Sequence, residues 1–206
     1  MKWLLAPFVA FVALVLGDSS YRAHARIVAH ASESVVRLSM HLDEEDADGH
    51  VCTGSMVGRH LVLTAAHCIY QDLQIDDQPI RGVLRLDRFF DLALVDARIE
   101  KPSIELRSSG PELYEPLTAL GYAHGWHKLT ALHEMPYLVN FTPDYGPELT
   151  LPPGVFVQGG YIGGMSGGPV VDAQGKMVSI VQRAGELSGY GVGVETIRVF
   201  LGGVLE

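Results

Sequence analysis

Cysteine is nearly absent from this chain: Cys52 and Cys68 are the two in 206 residues, too few for a disulfide-stapled scaffold or a four-thiolate metal site. Positive charge is also scarce, with 15 Lys and Arg against 24 Asp and Glu and a net charge of −9. That balance argues against nucleic acid, or an anionic membrane surface, as a partner. Charged residues are only 19% of the chain and hydrophobic ones 48%, which excludes a disordered polymer. No apolar run reaches the about 20 residues of a comfortable membrane span. The 23 glycines and 11 prolines follow no period, so a collagen-like or low-complexity tract is excluded too. What is left is a globular chain, long enough to bury the core of one domain or two small ones.

The mean hydropathy is nonetheless positive, and part of it sits at the start. Lys2 precedes an apolar run from Trp3 to Leu16, followed by Gly17 and a short polar stretch ending in Ala23-His24-Ala25. A charged n-region, an apolar h-region and an A-x-A-like site make residues 1–25 a signal peptide, with an uncleaved N-terminal membrane anchor as the alternative. Removing them takes away Lys2, Arg22 and Asp18, leaving 13 basic and 23 acidic residues. A secreted or periplasmic chain, with a tether to the membrane in the anchored case, is the expectation. In such a compartment two thiols tend to pair, and closing a loop of about 15 residues is worth about 3 kcal/mol. A buried thiol beside a reactive one is the alternative that the residues leave open.

Beyond Ala25 the pattern is that of strands. Residues 34–42 mix alternation with β-branched side chains. Leu61–Thr64, Gly82–Leu86, Leu92–Val95, Thr118–Tyr122, Val155–Gln158, Pro169–Val171, Met177–Val181 and Tyr190–Val194 are short apolar runs bounded by turn residues. Many short strands between Gly- and Pro-rich turns predict an all-β sandwich or barrel architecture. The helical exception is expected from Thr196 to about Leu205. A polar segment from Lys101 to Pro111 divides the strands and is the candidate linker.

Three places carry chemistry. Gly163-Gly-Met-Ser-Gly-Gly-Pro169 surrounds Ser166 with glycines that let amide N–H groups converge on one point. Thr64-Ala-Ala-His-Cys68 puts His67 at the end of a strand, and Phe89-Phe-Asp-Leu-Ala-Leu94 puts Asp91 at the start of another. A serine hydroxyl is a weak nucleophile until a base takes its proton, and the base needs a third group to hold its tautomer. Each motif alone is commonly a turn or a strand end. Their order, His, Asp, Ser, is what gives them weight.

Together with Cys52-Thr-Gly-Ser-Met-Val-Gly58, these blocks resemble the signature blocks of the trypsin-like (chymotrypsin-fold) serine proteases, over roughly Ile27 to Phe200. The resemblance implies two packed antiparallel Greek-key β-barrels, residues 26–108 and 109–206, and a short C-terminal helix. It implies a secreted serine endopeptidase that works through an acyl-enzyme without a cofactor or metal, on protein or peptide substrates. His67 would be the base, Asp91 its orienting carboxylate and Ser166 the nucleophile, with the N–H groups of Gly164 and Ser166 as the oxyanion hole. A Cys52–Cys68 disulfide flanking the histidine is implied as well. Met165 replaces the aspartate that precedes the serine in animal members. The chain is therefore closer to bacterial-type members that lack zymogen activation, and Arg26-Ile-Val28 reads as an ordinary strand entrance. Gly160, Tyr161, Gln182, Arg183 and Ala184 fall at the substrate-binding positions. With no carboxylate at Gly160 or Tyr161, small or apolar residues before the scissile bond are expected. A catalytically inactive protease-fold binding protein is the alternative. Among the other conspicuous residues, Asp43-Glu-Glu-Asp46 with Asp48 is expected to be a solvated turn. His124, His127 and His133 are read as an irregular region without a metal.

Overall fold

The computed structural model describes residues 25–40, 51–125, 127–141, 153–184 and 188–204. The expected signal segment, apart from its last residue, and the acidic run at 43–48 lie outside the described residues. The first sheet contains β1 (Val35–Met40), β2 (Val51–Gly58), β3 (Leu61–Ala65), β4 (Leu73–Ile75), β5 (Gln78–Pro79), β6 (Gly82–Asp87) and β7 (Leu92–Asp96), ordered β5-β4-β1-β2-β3-β7-β6. The second contains β8 (Leu117–Gly121), β9 (Thr130–Phe141), β10 (Gly154–Gln158), β11 (Pro169–Val171), β12 (Met177–Ala184) and β13 (Ser188–Gly193), and closes as β10-β13-β12-β11-β8-β9. All pairings in both sheets are antiparallel. The architecture is the two-barrel all-β fold with a short C-terminal helix.

The central strands are apolar on both faces because each face has a different core to fill. In β3, Val62 points into the first barrel's own cluster while Leu63 points into the cluster between the two sheets. In β7, Val95 does the former and Leu92 and Leu94 the latter. Side chains two residues apart share a face, so a strand packed on both sides reads as a continuous run. Leu63, Leu92 and Leu94 meet Leu120, Phe156, Ile180 and Val192 of the second sheet. Each fully buried side chain of this kind stabilises the contact by roughly 2 kcal/mol.

Among the described residues, two α-helices frame the sheets. α2 (Val194–Leu201) buries Val194, Ile197, Phe200 and Leu201 and ends at Leu201, four residues short of the expected end. Gly203, at φ +77°, turns the chain away. Residues 25–32 form α1, where a strand entrance was expected at Ile27-Val28. Ala25, Ala29 and Ala31 favour helix, and Val28 and Ala31 pack on the inter-sheet cluster. Residues 97–116 connect the sheets and are tied to both. Ile104 N–H donates to Met56 O at 2.8 Å, and Arg107 N–H donates to Met177 O at 2.9 Å.

Candidate active site

β3 ends at Ala65, and Ala66–Cys68 form one 3-10 turn that carries His67. Cys68 is bonded to Cys52 on the neighbouring β2, with Cα atoms 6.0 Å apart, so the turn is closed covalently onto the sheet. Cys52, His67 and Cys68 crowd together, but the disulfide leaves no thiolate for a metal. Asp91 lies immediately before β7, which is paired with β3. Its carboxylate is fully used: Oδ1 accepts the His67 backbone N–H at 2.8 Å and Oδ2 contacts His67 Nδ1 at 2.7 Å. A carboxylate can only accept, so Nδ1 carries the proton and Nε2 of the neutral ring presents a lone pair. Asp91 has φ +53°, a left-handed conformation that aspartate tolerates better than most residues. Its carbonyl is held by Ala66 N–H at 3.0 Å.

The Ser166 loop leans against the same corner of the first sheet. Thr53 N–H donates to Ser166 O at 2.8 Å. Cys68 Sγ lies 3.7 Å from that oxygen, a van der Waals contact, since a disulfide sulfur has no proton to donate. Thr53 Oγ1 donates to Gly164 O at 2.8 Å and accepts Tyr122 N–H at 2.9 Å. A Cβ on Gly167 would lie 2.2 Å from Thr64 Oγ1, and its φ is +82°, so glycine is required there twice over. Met165 is fully buried in the second barrel's core. Apolar packing thus anchors the residue before the serine.

The Gly163–Gly164 and Met165–Ser166 peptides are oriented. Gly163 O accepts His124 N–H at 2.7 Å and Met165 O accepts Gly168 N–H at 2.9 Å. In a trans peptide the N–H points opposite the C=O, so the N–H groups of Gly164 and Ser166 face away from those bonds. Among the described residues neither donates to a backbone carbonyl. An imidazole held through Nδ1, a hydroxyl on an abutting loop and two amide N–H groups that, among the described residues, donate to no backbone carbonyl are the components that acyl transfer uses. Among the described residues no hydrogen bond joins Ser166 Oγ to the imidazole, a separation that ligand-free sites of this chemistry commonly show.

The residues expected to bind substrate diverge. Arg183 is exposed and Ala184 ends β12. Tyr161 is buried in the second barrel's core, its ring so close to Gly189 that a Cβ there would lie 2.5 Å from Cδ2. Gly160 is buried at the preceding turn, at φ +70°. Gln182 is buried as well, and its Nε2 donates to Phe90 O and Asp91 O, both at 2.8 Å. The histidines are corrected in part: His133 lies within β9, while His124 sits in a 3-10 turn at φ +52°. Sequence reasoning missed Glu134, which is 3% exposed on β9. Its Oε2 is buried without a hydrogen bond and lies 3.6 Å from where a Cβ of Gly159 would be. Burial pushes its carboxyl up to about 7, and burial, then the Glu134 charge, pushes the Tyr161 phenol far above its usual range. Glu134 lines a cavity of about 330 Å³ with Leu117, His133 and Gln158. The missed signal was a charged residue at an inward position of a strand.

Comparison with known proteins gives this geometry a family. The active form of the Rv3671c protease from M. tuberculosis superposes with a TM-score of 0.71 at 20% identity, over 85% of this chain and 82% of that one. Deg5 does so at 0.69 and 15%, over 86% and 91%. The serine endoprotease from Yersinia pestis does so at 0.66 and 15%, over 85% and 64%. At such identities the likeness is one of fold. No curated protein matches. The model of the trypsin-like peptidase domain matches residues 52–180, more than half of the chain and every block from Cys52 through His67 and Asp91 to Ser166. On that span this chain belongs to the trypsin-like peptidase family, whose members are protein-cleaving hydrolases.

Proposed function

We propose that the chain is a serine endopeptidase. Ser166 Oγ attacks the scissile carbonyl while His67 Nε2 takes its proton, and Asp91 holds the ring and stabilises the imidazolium that forms. The N–H groups of Gly164 and Ser166 receive the oxyanion. His67 then returns the proton to the leaving amine, and water activated at Nε2 hydrolyses the acyl-enzyme. The observation that carries this reading is the use of both Asp91 oxygens on His67, at 2.8 and 2.7 Å. Small or apolar side chains before the scissile bond are the proposed preference, supported by the lack of a carboxylate at Gly160 and Tyr161. The compartment is proposed to be extracytoplasmic, residues 1–25 serving as signal or anchor. The Cys52–Cys68 disulfide supports an oxidising location.

A fluorophosphonate probe should label Ser166, a Ser166→Ala variant should remain unlabelled, and a peptide library should be cleaved by the wild type alone. Equal behaviour of the two proteins would sink the proposal. A second reading, a peptide-binding protein that does not turn over, is favoured by the burial of Tyr161, a residue expected at the substrate pocket. It predicts peptide binding without labelling in the same assay.

A further inference from the structure

Gln182 was expected at the substrate pocket, yet its side chain leaves the second barrel and ends on the first. Both N–H bonds of its amide are used there, one on Phe90 O and one on Asp91 O. The orientation of the amide is fixed by chemistry: the reverse flip would set its oxygen against two carbonyl oxygens. Those carbonyls flank the residue that is held at φ +53° and aims its carboxylate at His67. Gln182 Oε1, meanwhile, is buried without a partner. An apolar side chain would fill this 3% exposed position without leaving an orphan acceptor, so what the amide contributes is its two donors.

We infer that Gln182 is a positioning residue for the proposed reaction: it holds the Asp91 turn, and through it the His67 imidazole, from the barrel that carries Ser166. The inference rests on the serine-endopeptidase reading for its consequence in turnover. The local chain supports the turn from its other side, where Asp87 Oδ1 accepts the N–H groups of Phe89 at 2.9 Å and Phe90 at 3.0 Å. Asp87 orients the approach to Asp91 from within the first barrel. Among the described residues, hydrogen bonds from Gln182 tie the turn to β12, whose Val181 exchanges hydrogen bonds with Gly167 and Gly168 of the serine loop at 2.7 and 2.8 Å. One residue of β12 therefore steadies the nucleophile loop and the next steadies the carboxylate.

The test compares wild type with Gln182→Met, which keeps the side-chain length and removes both donors, and with Gln182→Glu, which keeps the shape and opposes two carbonyls with a carboxylate. Active sites are titrated with the fluorophosphonate, so that kcat refers to folded molecules, and the downfield proton resonance of His67 Nδ1–H is recorded. The expected result is a loss of about 10- to 100-fold in kcat per titrated site, KM within about twofold, and a shifted or broadened Nδ1–H resonance. Wild-type kcat per site and an unmoved resonance in both variants, with loss only of folded yield or thermal stability, would overturn the inference. If the wild type neither labels nor cleaves, the enzymatic reading falls, while the resonance still reports whether Gln182 holds the Asp91–His67 bond.

Discussion

Two buried polar regions of this molecule are built to opposite rules. At the corner where the serine loop meets the first sheet, Thr53 alone makes four hydrogen bonds. It donates from N to Ser166 O and from Oγ1 to Gly164 O, and it accepts Tyr122 N–H on Oγ1 and Thr64 Oγ1–H on its carbonyl. Thr53 is fully buried, and each of those polar atoms has a partner. Glu134 Oε2, beside the 330 Å³ cavity of the second barrel, and Tyr161 OH, in that barrel's core, are also buried, and among the described residues neither has one. The first region keeps its geometry because a satisfied network in a low dielectric has one arrangement. The second answers the same burial by shifting its proton equilibria upward. Satisfied polar groups here hold loops, and unsatisfied ones hold protons.

The sharpest way to break the first region is Gly167→Ala. The new Cβ would meet Thr64 Oγ1 at 2.2 Å and Thr53 O at 2.3 Å, from a backbone at φ +82°. The serine loop must move off Thr53, and a displacement of about 1 Å costs on the order of 100-fold in turnover. Fluorophosphonate labelling rates would read it, and a rate within threefold of wild type would show that the contact does not set the loop. Thr53→Val comes next. It preserves shape but strands Tyr122 N–H and Gly164 O, at about 1–3 kcal/mol for each group left unpaired. Urea titration should show the loss of stability alongside slower labelling. Stability lost with labelling intact would separate folding from loop geometry. Replacing Cys52 and Cys68 together by alanine should cost about 3 kcal/mol through the chain entropy of the opened loop. It should leave the Asp91–His67 hydrogen bonds in place, because those do not run through sulfur.

The contrast between the regions also marks what could be read in advance. His67, Asp91, Ser166 and the strands around them stand in short blocks whose residue types are dictated by local demands: an apolar strand, then a turn, then a functional side chain. β2 was harder, because its interior is Thr53, Gly54 and Ser55, small residues that are buried by hydrogen bonding and close packing and carry no apolar pattern. β9 was hidden by Pro136 and by the charged or ionisable His133 and Glu134. Pro136 is accommodated where β10 shifts register, between Phe156 and Val157. α1 was hidden because Ile27-Val28 looks like a strand, while its neighbouring alanines and its seat on the inter-sheet cluster favour helix. Gln182 and the Asp91 turn are 91 positions apart, so neither periodicity nor a turn signal connects them. Contacts made across the junction of two barrels leave no local trace in either segment.

The second region gives the smallest effect and a defined pH window. Glu134 titrates at about 7 in the fold against 4.5 when free, so between those values the folded chain binds more protons than the unfolded one. Stability therefore falls as pH rises from about 4.5 to 7 and levels off above, the opposite of a salt-bridged carboxylate. The shift sets a ceiling of about 3 kcal/mol, and water reaching the adjoining cavity reduces the expectation to about 1–2 kcal/mol. Glu134→Gln keeps the shape and cannot ionise, so it should abolish this part of the decline and be more stable than wild type at pH 8, with little difference at pH 4.5. Melting temperatures of the two proteins across that range measure it directly. Parallel curves would mean that Glu134 meets a partner or water in solution and that the second region is satisfied after all. A gain at high pH accompanied by unchanged labelling at Ser166 would show that its proton is energetically separate from the loops that Thr53 holds.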